Sequence, residues 1–122
     1  DVFMVVLNLD RVLLNQRIEQ RVQSMVKDGL VEEVTTWFSS IQAQSFQSFL
    51  GIGYKEFRGF LAHQETLDQA IDAIVIHTRQ FAKRQLTWFR HQFVAHWVDP
   101  LDQKARSAVI ENISQWLNQE KT

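Results

Sequence analysis

Only five residues in this 122-residue chain break regular structure readily: Gly29, Gly51, Gly53, Gly59 and Pro100. Average usage of about 7% Gly and 5% Pro would supply roughly 15. Tight turns are built chiefly from these two residues. Their scarcity argues against a many-stranded sandwich or barrel and favours long helices. The length suits one domain. Apolar residues at 45% and charged residues at 22% exclude a disordered or collagen-like chain.

The chain has no Cys, so disulfides, thiolate metal sites and Cys nucleophiles are all excluded. No apolar run approaches the roughly 18 residues of a membrane span. The start, Asp1 to Leu7, has no basic region ahead of its apolar run and so does not read as a signal peptide. Position 1 is Asp, not Met, which points to processing or to a longer parent chain.

Val2 to Leu7 is continuously apolar and predicts a strand buried on both faces, as in a parallel sheet. Asp10 then reads as an N-cap. Val12, Leu13, Ile18, Val22, Met25 and Val26 give the apolar face of a first helix, ended by Gly29. Leu30 to Phe38 predicts a second helix, and the polar, uncharged residues 39–48 a loop. A helix over about 53–63 is expected after Gly51-Ile52-Gly53. Thr66-Leu-Asp-Gln69 fits a capping box, opening a helix that runs to about Gln92. Val94 to Val98 is a short strand ended by Pro100, and Gln103 to Asn118 a last helix. The result is a mostly helical α/β chain with four to five helices. Its buried first strand has only one possible partner, and two strands rarely make a stable sheet alone. Part of the sheet is therefore missing or supplied by a partner.

Charge is unevenly placed. Residues 1–76 carry six bases against ten acids, whereas residues 77–98 carry Arg79, Lys83, Arg84 and Arg90 with no acid. At about 100° per residue, Arg79, Lys83 and Arg90 fall within about 40° of one another. They form a stripe about 16 Å long at helical rise, the reach of two or three phosphates along one strand. Phe81, Ala82, Leu86, Trp88 and Phe89 lie on the opposite, packed face, with Trp88 mainly core. Arg84 stands off the stripe. No Glu intervenes to serve as an i,i+4 partner. The plainer reading is a solvated helix face.

In Gly51-Ile-Gly53-Tyr54-Lys55-Glu56, two glycines before a helix would free its first amides for an anion, with Lys55 adding charge. Glu56 stands where a dinucleotide fingerprint needs its third Gly. A flexible turn is the commoner explanation of such glycines. Arg17 and Arg21 lie four apart on the first helix and could clamp a diphosphate; salt-bridged surface groups are the alternative. The four His, at 63, 77, 91 and 96, show no metal spacing. Glu32/Glu33 and Asp68/Asp72 read as solvated faces. No Walker A sequence, nucleophile elbow or Ser/His/Asp set is present.

Three segments together resemble the tRNA dimethylallyltransferases, also called tRNA isopentenyltransferases. They are Arg11-Val-Leu-Leu-Asn-Gln-Arg17-Ile-Glu-Gln-Arg21-Val-Gln-Ser-Met25 with Gly29-Leu-Val-Glu-Glu-Val34; Gly51-Ile-Gly-Tyr-Lys-Glu56; and Thr78-Arg-Gln-Phe-Ala-Lys-Arg-Gln-Leu-Thr-Trp-Phe-Arg90. The third is the most specific. Order and spacing agree with the family over residues 1 to about 99.

The resemblance implies transfer of a dimethylallyl group from its diphosphate to N6 of the adenosine next to the anticodon. It implies a P-loop-like core with magnesium held in the other half. Carried over by position, the tRNA contacts are Leu50, Gly51, Ile52, Gly53, Tyr54 and Lys55, together with Lys83, Arg84, Gln85, Leu86, Thr87, Trp88, Phe89 and Arg90. Arg17 and Arg21 would lie near the diphosphate. Gln23 stands where the family commonly has Asp. No P-loop, catalytic carboxylate motif or anticodon-stem insertion is present in this sequence. The expectation is therefore the C-terminal part of a cytoplasmic, monomeric parent enzyme, over residues 1–122, inactive alone. That part carries no catalytic or metal-binding residue. The alternatives are a non-catalytic helical RNA-binding module or an assembly module.

Overall fold

Asp10 caps the first helix as its position suggests: its carboxylate accepts the Leu13 amide at 3.3 Å, and α1 spans Arg11–Lys27. The computed structural model describes residues 1–39, 51 and 53–121. Gly29, at φ 109°, makes the left-handed turn between α1 and α2 (Leu30–Phe38) that a side chain would resist. The predicted loop over 39–48 lies, beyond Ser39, outside the described residues. A 3-10 turn over Lys55–Phe57 leads into the one-turn α3 (Arg58–Leu61). The 26-residue α4 (Leu67–Gln92), β2 (His96–Val98) and α5 (Gln103–Glu120) complete the chain.

The capping box at α4 is formed reciprocally. Thr66 N–H donates to Gln69 Oε1 at 2.8 Å, and Gln69 N–H to Thr66 Oγ1 at 3.1 Å. Asp102 caps α5 by accepting from the amides of Lys104 and Ala105. β1 (Val5–Leu7) pairs parallel with β2 in the register Val5–His96, Val6–Trp97, Leu7–Val98. The mostly helical α/β architecture is thus the one expected.

Two expectations need correction. The first strand is shorter than Val2 to Leu7 and is not buried on both faces: Val6 is buried, but Val2 is 81% and Leu7 64% exposed. β2 covers one edge of β1, and no other described strand pairs with it. The helix expected over 53–63 is broken into a 3-10 turn and α3. Gly53 sits at φ 98°, incompatible with a helix, so regular structure starts only after it.

The contacts group the chain into two units, residues 15–81 and residues 1–14 with 82–122. In the first, Ile18, Val22, Leu30, Val34, Phe57, Ala70, Ile74 and Val75 form the buried core, with Val34, Phe57 and Ala70 wholly enclosed. In the second, Val6 and Val98 are the buried apolar residues. There the Phe3 ring stacks on His96 at 4.4 Å and lies 5.9 Å from Trp116.

Candidate nucleic-acid interface

The turn before α3 is held from inside. Tyr54 and Lys55 donate their amides to the Gly51 carbonyl, both at 3.2 Å. Gly53 N–H donates to Glu56 Oε2 at 2.8 Å. Glu56 Oε1 is 2.7 Å from His77 Nδ1 on α4. A carboxylate offers only acceptors, so His77 carries the proton of that bond. Tyr54 Oη–H donates to Glu33 Oε1 on α2 at 2.8 Å. That bond raises the Tyr54 phenol above its ordinary pKa, helped by burial and by the Glu33 charge.

These bonds correct the expectation that the glycines free amides for an anion. The amides of Gly53, Tyr54 and Lys55 already have acceptors within the chain. What the turn offers outward is the exposed Lys55 side chain and the partly exposed Tyr54 ring. Leu50 and Ile52, the other expected contacts here, lie outside the described residues. Glu33 is not merely solvated, since it anchors Tyr54. Glu32, Glu33, Thr36, Trp37 and Tyr54 line an open depression beside it.

α4 carries the basic segment. Its stripe is not uniform. Arg79 pairs with Glu19 of α1 at 3.7 Å, and its Nε is buried. The missing i,i+4 acid was therefore a poor test, because the partner comes from another helix. Lys83 and Arg84 are exposed and make no ion pair among the described residues. The Arg90 guanidinium lies over the Trp97 ring of β2, 5.1 Å from its centroid. Gln85 and Thr87 are exposed; Leu86 and Phe89 are half-buried. Thr87 Oγ1–H donates to the Lys83 carbonyl.

Trp88 is not core: it is 52% exposed. Its ring meets Phe89 edge-on at 5.1 Å and Phe93 at 5.4 Å, so an aromatic cluster forms at the C-terminal end of α4. Phe81 is likewise exposed, whereas Ala82, Leu86 and Phe89 are half-buried, so the face expected to be packed is only partly so. Arg17 and Arg21 are exposed on α1, and Glu19 between them turns to Arg79 instead. Among the described residues no three of His, Asp or Glu gather as a metal site.

Sequence reasoning passed over Glu56, His77, Glu33 and Trp97. The signal for Glu56 was present, a Glu three residues after a Gly, but its use depends on a histidine 21 positions away. No helical or strand spacing announces such a pair.

A family model described as IPP transferase matches residues 1–92. The chain belongs to the IPP transferase family. Curated relatives of this family member include a tRNA dimethylallyltransferase of Enterococcus faecalis, 38% identical over all of this chain and 39% of that protein. That of Latilactobacillus sakei is 44% identical over 96% of this chain and 38% of its own length. Two solved structures superpose closely. The full-length tRNA isopentenylpyrophosphate transferase of Bacillus halodurans is 36% identical with a TM-score of 0.84, over 98% of this chain and 40% of that one. A tRNA delta(2)-isopentenylpyrophosphate transferase of Staphylococcus epidermidis is 29% identical with a TM-score of 0.81, over 98% and 38%. The chain therefore spans about two fifths of the length of these IPP transferases.

Proposed function

We propose that this chain is the C-terminal part of a tRNA dimethylallyltransferase, and that it supplies tRNA contacts and no catalytic group. In the parent reaction the adenosine N6 attacks C1 of dimethylallyl diphosphate. An N–C bond forms, the C–O bond to diphosphate breaks, and N6 gives up a proton. Magnesium and the acceptor of that proton belong to residues outside this chain, which alone is inactive. The same reading takes the parent enzyme to be cytoplasmic and monomeric. No helix among the described residues is long and apolar enough to cross a membrane.

The observation that carries the assignment to tRNA contacts is the state of α4 beyond Arg79. Lys83 and Arg84 are exposed cations without an ion-pair partner among the described residues, Arg90 is held over Trp97, and Trp88, four residues after Arg84 on the same helix, is open. Exposed cations and an exposed aromatic ring on one helix suit a phosphate backbone and an unstacked base. Lys55 and Tyr54 form the second contact region. Arg17 and Arg21, exposed and unpaired among the described residues, fit a place near the diphosphate.

The test uses the full-length enzyme, an anticodon stem-loop and labelled dimethylallyl diphosphate. Lys83→Ala with Arg84→Ala raises the Michaelis constant for RNA and flattens its log–log salt dependence by roughly 0.7 per lost contact. An unchanged Michaelis constant and salt slope would refute the phosphate role. Salt-sensitive binding of the stem-loop by the 122-residue chain alone would favour an independent RNA-binding module instead.

A further inference from the structure

We infer that Glu56 and His77 form a positioning pair that fixes the turn at residues 53–55 on α4 in the shape that presents Tyr54 and Lys55 to tRNA. This rests on the proposal that the turn meets tRNA.

Glu56 is the one buried charged residue among those described, and its side chain is only 1% exposed. A carboxylate is costly to bury unless its oxygens are satisfied. Here each oxygen has one partner, and the two partners belong to different elements. Oε2 takes the Gly53 amide, inside the turn, and Oε1 takes His77 Nδ1, on α4. Gly53 is in the left-handed region, outside any helix, and its amide donates to Glu56. Phe57, wholly buried next to Glu56, anchors the chain just after the turn. The Tyr54–Glu33 bond ties the same turn to α2. The carboxylate thus acts as a rivet between the turn and α4, while the residues it orients remain accessible. His77 itself is 41% exposed at its side chain, so its own burial contributes little to the core. Its placement at hydrogen-bond distance from a buried acid is better explained by orientation than by packing.

The experiment measures steady-state kinetics of the full-length transferase. Absence of prenyl transfer by the unaltered enzyme would overturn the functional reading itself. With transfer established, His77→Leu is expected to raise the Michaelis constant for tRNA about tenfold, the size of one hydrogen bond to a charged group. Turnover and the Michaelis constant for dimethylallyl diphosphate stay within about twofold. His77→Asn places an amide donor where Nδ1 stood and restores tRNA affinity. If His77→Leu does not fold, His77→Ala replaces it. The positioning role is overturned by an unchanged Michaelis constant for tRNA, by equal losses in the Asn and apolar variants, or by a loss confined to turnover. Failure of both apolar variants to fold also overturns it, since the pair would then hold the fold and not one turn.

Discussion

Tyr54 is the only tyrosine in the chain, so its titration can be read without interference from another phenol. Its hydroxyl donates to Glu33, and that bond raises its pKa. A raised value means that the folded state holds the proton more tightly than the unfolded state. The linked stability is therefore present in full below the ordinary tyrosine value, about 10, and is lost as pH rises through the folded value. Phenolate absorbance of the folded protein is expected to show a midpoint above that of the urea-unfolded chain. Glu33→Ala should bring the midpoint down towards the unfolded one. Equal midpoints in the folded and unfolded protein would mean that the Tyr54–Glu33 bond does not persist in solution. At this scale the sequence was a mixed guide. It singled out Tyr54 and Lys55 as expected tRNA contacts through a motif, but the partners that fix them, Glu33, Glu56 and His77, are set by packing between helices and leave no periodic mark.

The elements were more legible, because their ends are governed by residues close in sequence. Asp10, Gly29, the Thr66–Gln69 box and Pro100 each act locally, and each lies at the boundary expected of it. The capping box offers a quantitative test. Thr66→Ala removes the acceptor of the Gln69 amide and is expected to cost about 1 kcal/mol, read as a shift in the urea midpoint with an unchanged slope. Both residues are exposed, so no cavity term should add to it. A change below about 0.3 kcal/mol would place the start of α4 under tertiary control alone. The elements misread were those whose state depends on distant partners. Continuous apolar character in Val2 to Leu7 correctly signals a strand, but burial of both its faces needs layers that this chain does not contribute. The segment after Gly53 has helical composition, yet the positive φ at Gly53 and the capture of its amide by Glu56 delay the helix. The basic face of α4 was legible as a stripe; the loss of Arg79 to Glu19 was not.

For the molecule as a whole, the two units differ in how far they can stand alone. Residues 15–81 enclose a core that includes Phe57, Val34 and Ala70. Among the described residues of 1–14 with 82–122, Val6 and Val98 are the fully buried apolar ones, while Val2, Leu7, Trp88, Val94, Ile110 and Leu117 stay exposed. Burial of apolar area is the main favourable term in folding, and this unit has less fully buried apolar surface than residues 15–81 to set against the ordering of its residues. The chain spans about two fifths of the length of the IPP transferases it superposes on, and under the proposed function these exposed faces would meet the remainder of that enzyme. Hydrogen exchange can separate the two units within one sample. In the 122-residue chain alone, amides of β1, β2 and α5 are expected to exchange close to the unprotected rate, while those of α2 and the first half of α4 remain protected. In the full-length enzyme both sets should be protected. Equal protection of both units in the short chain would show that β1, β2 and α5 need no further cover, and would favour an independent module over a part of the transferase core.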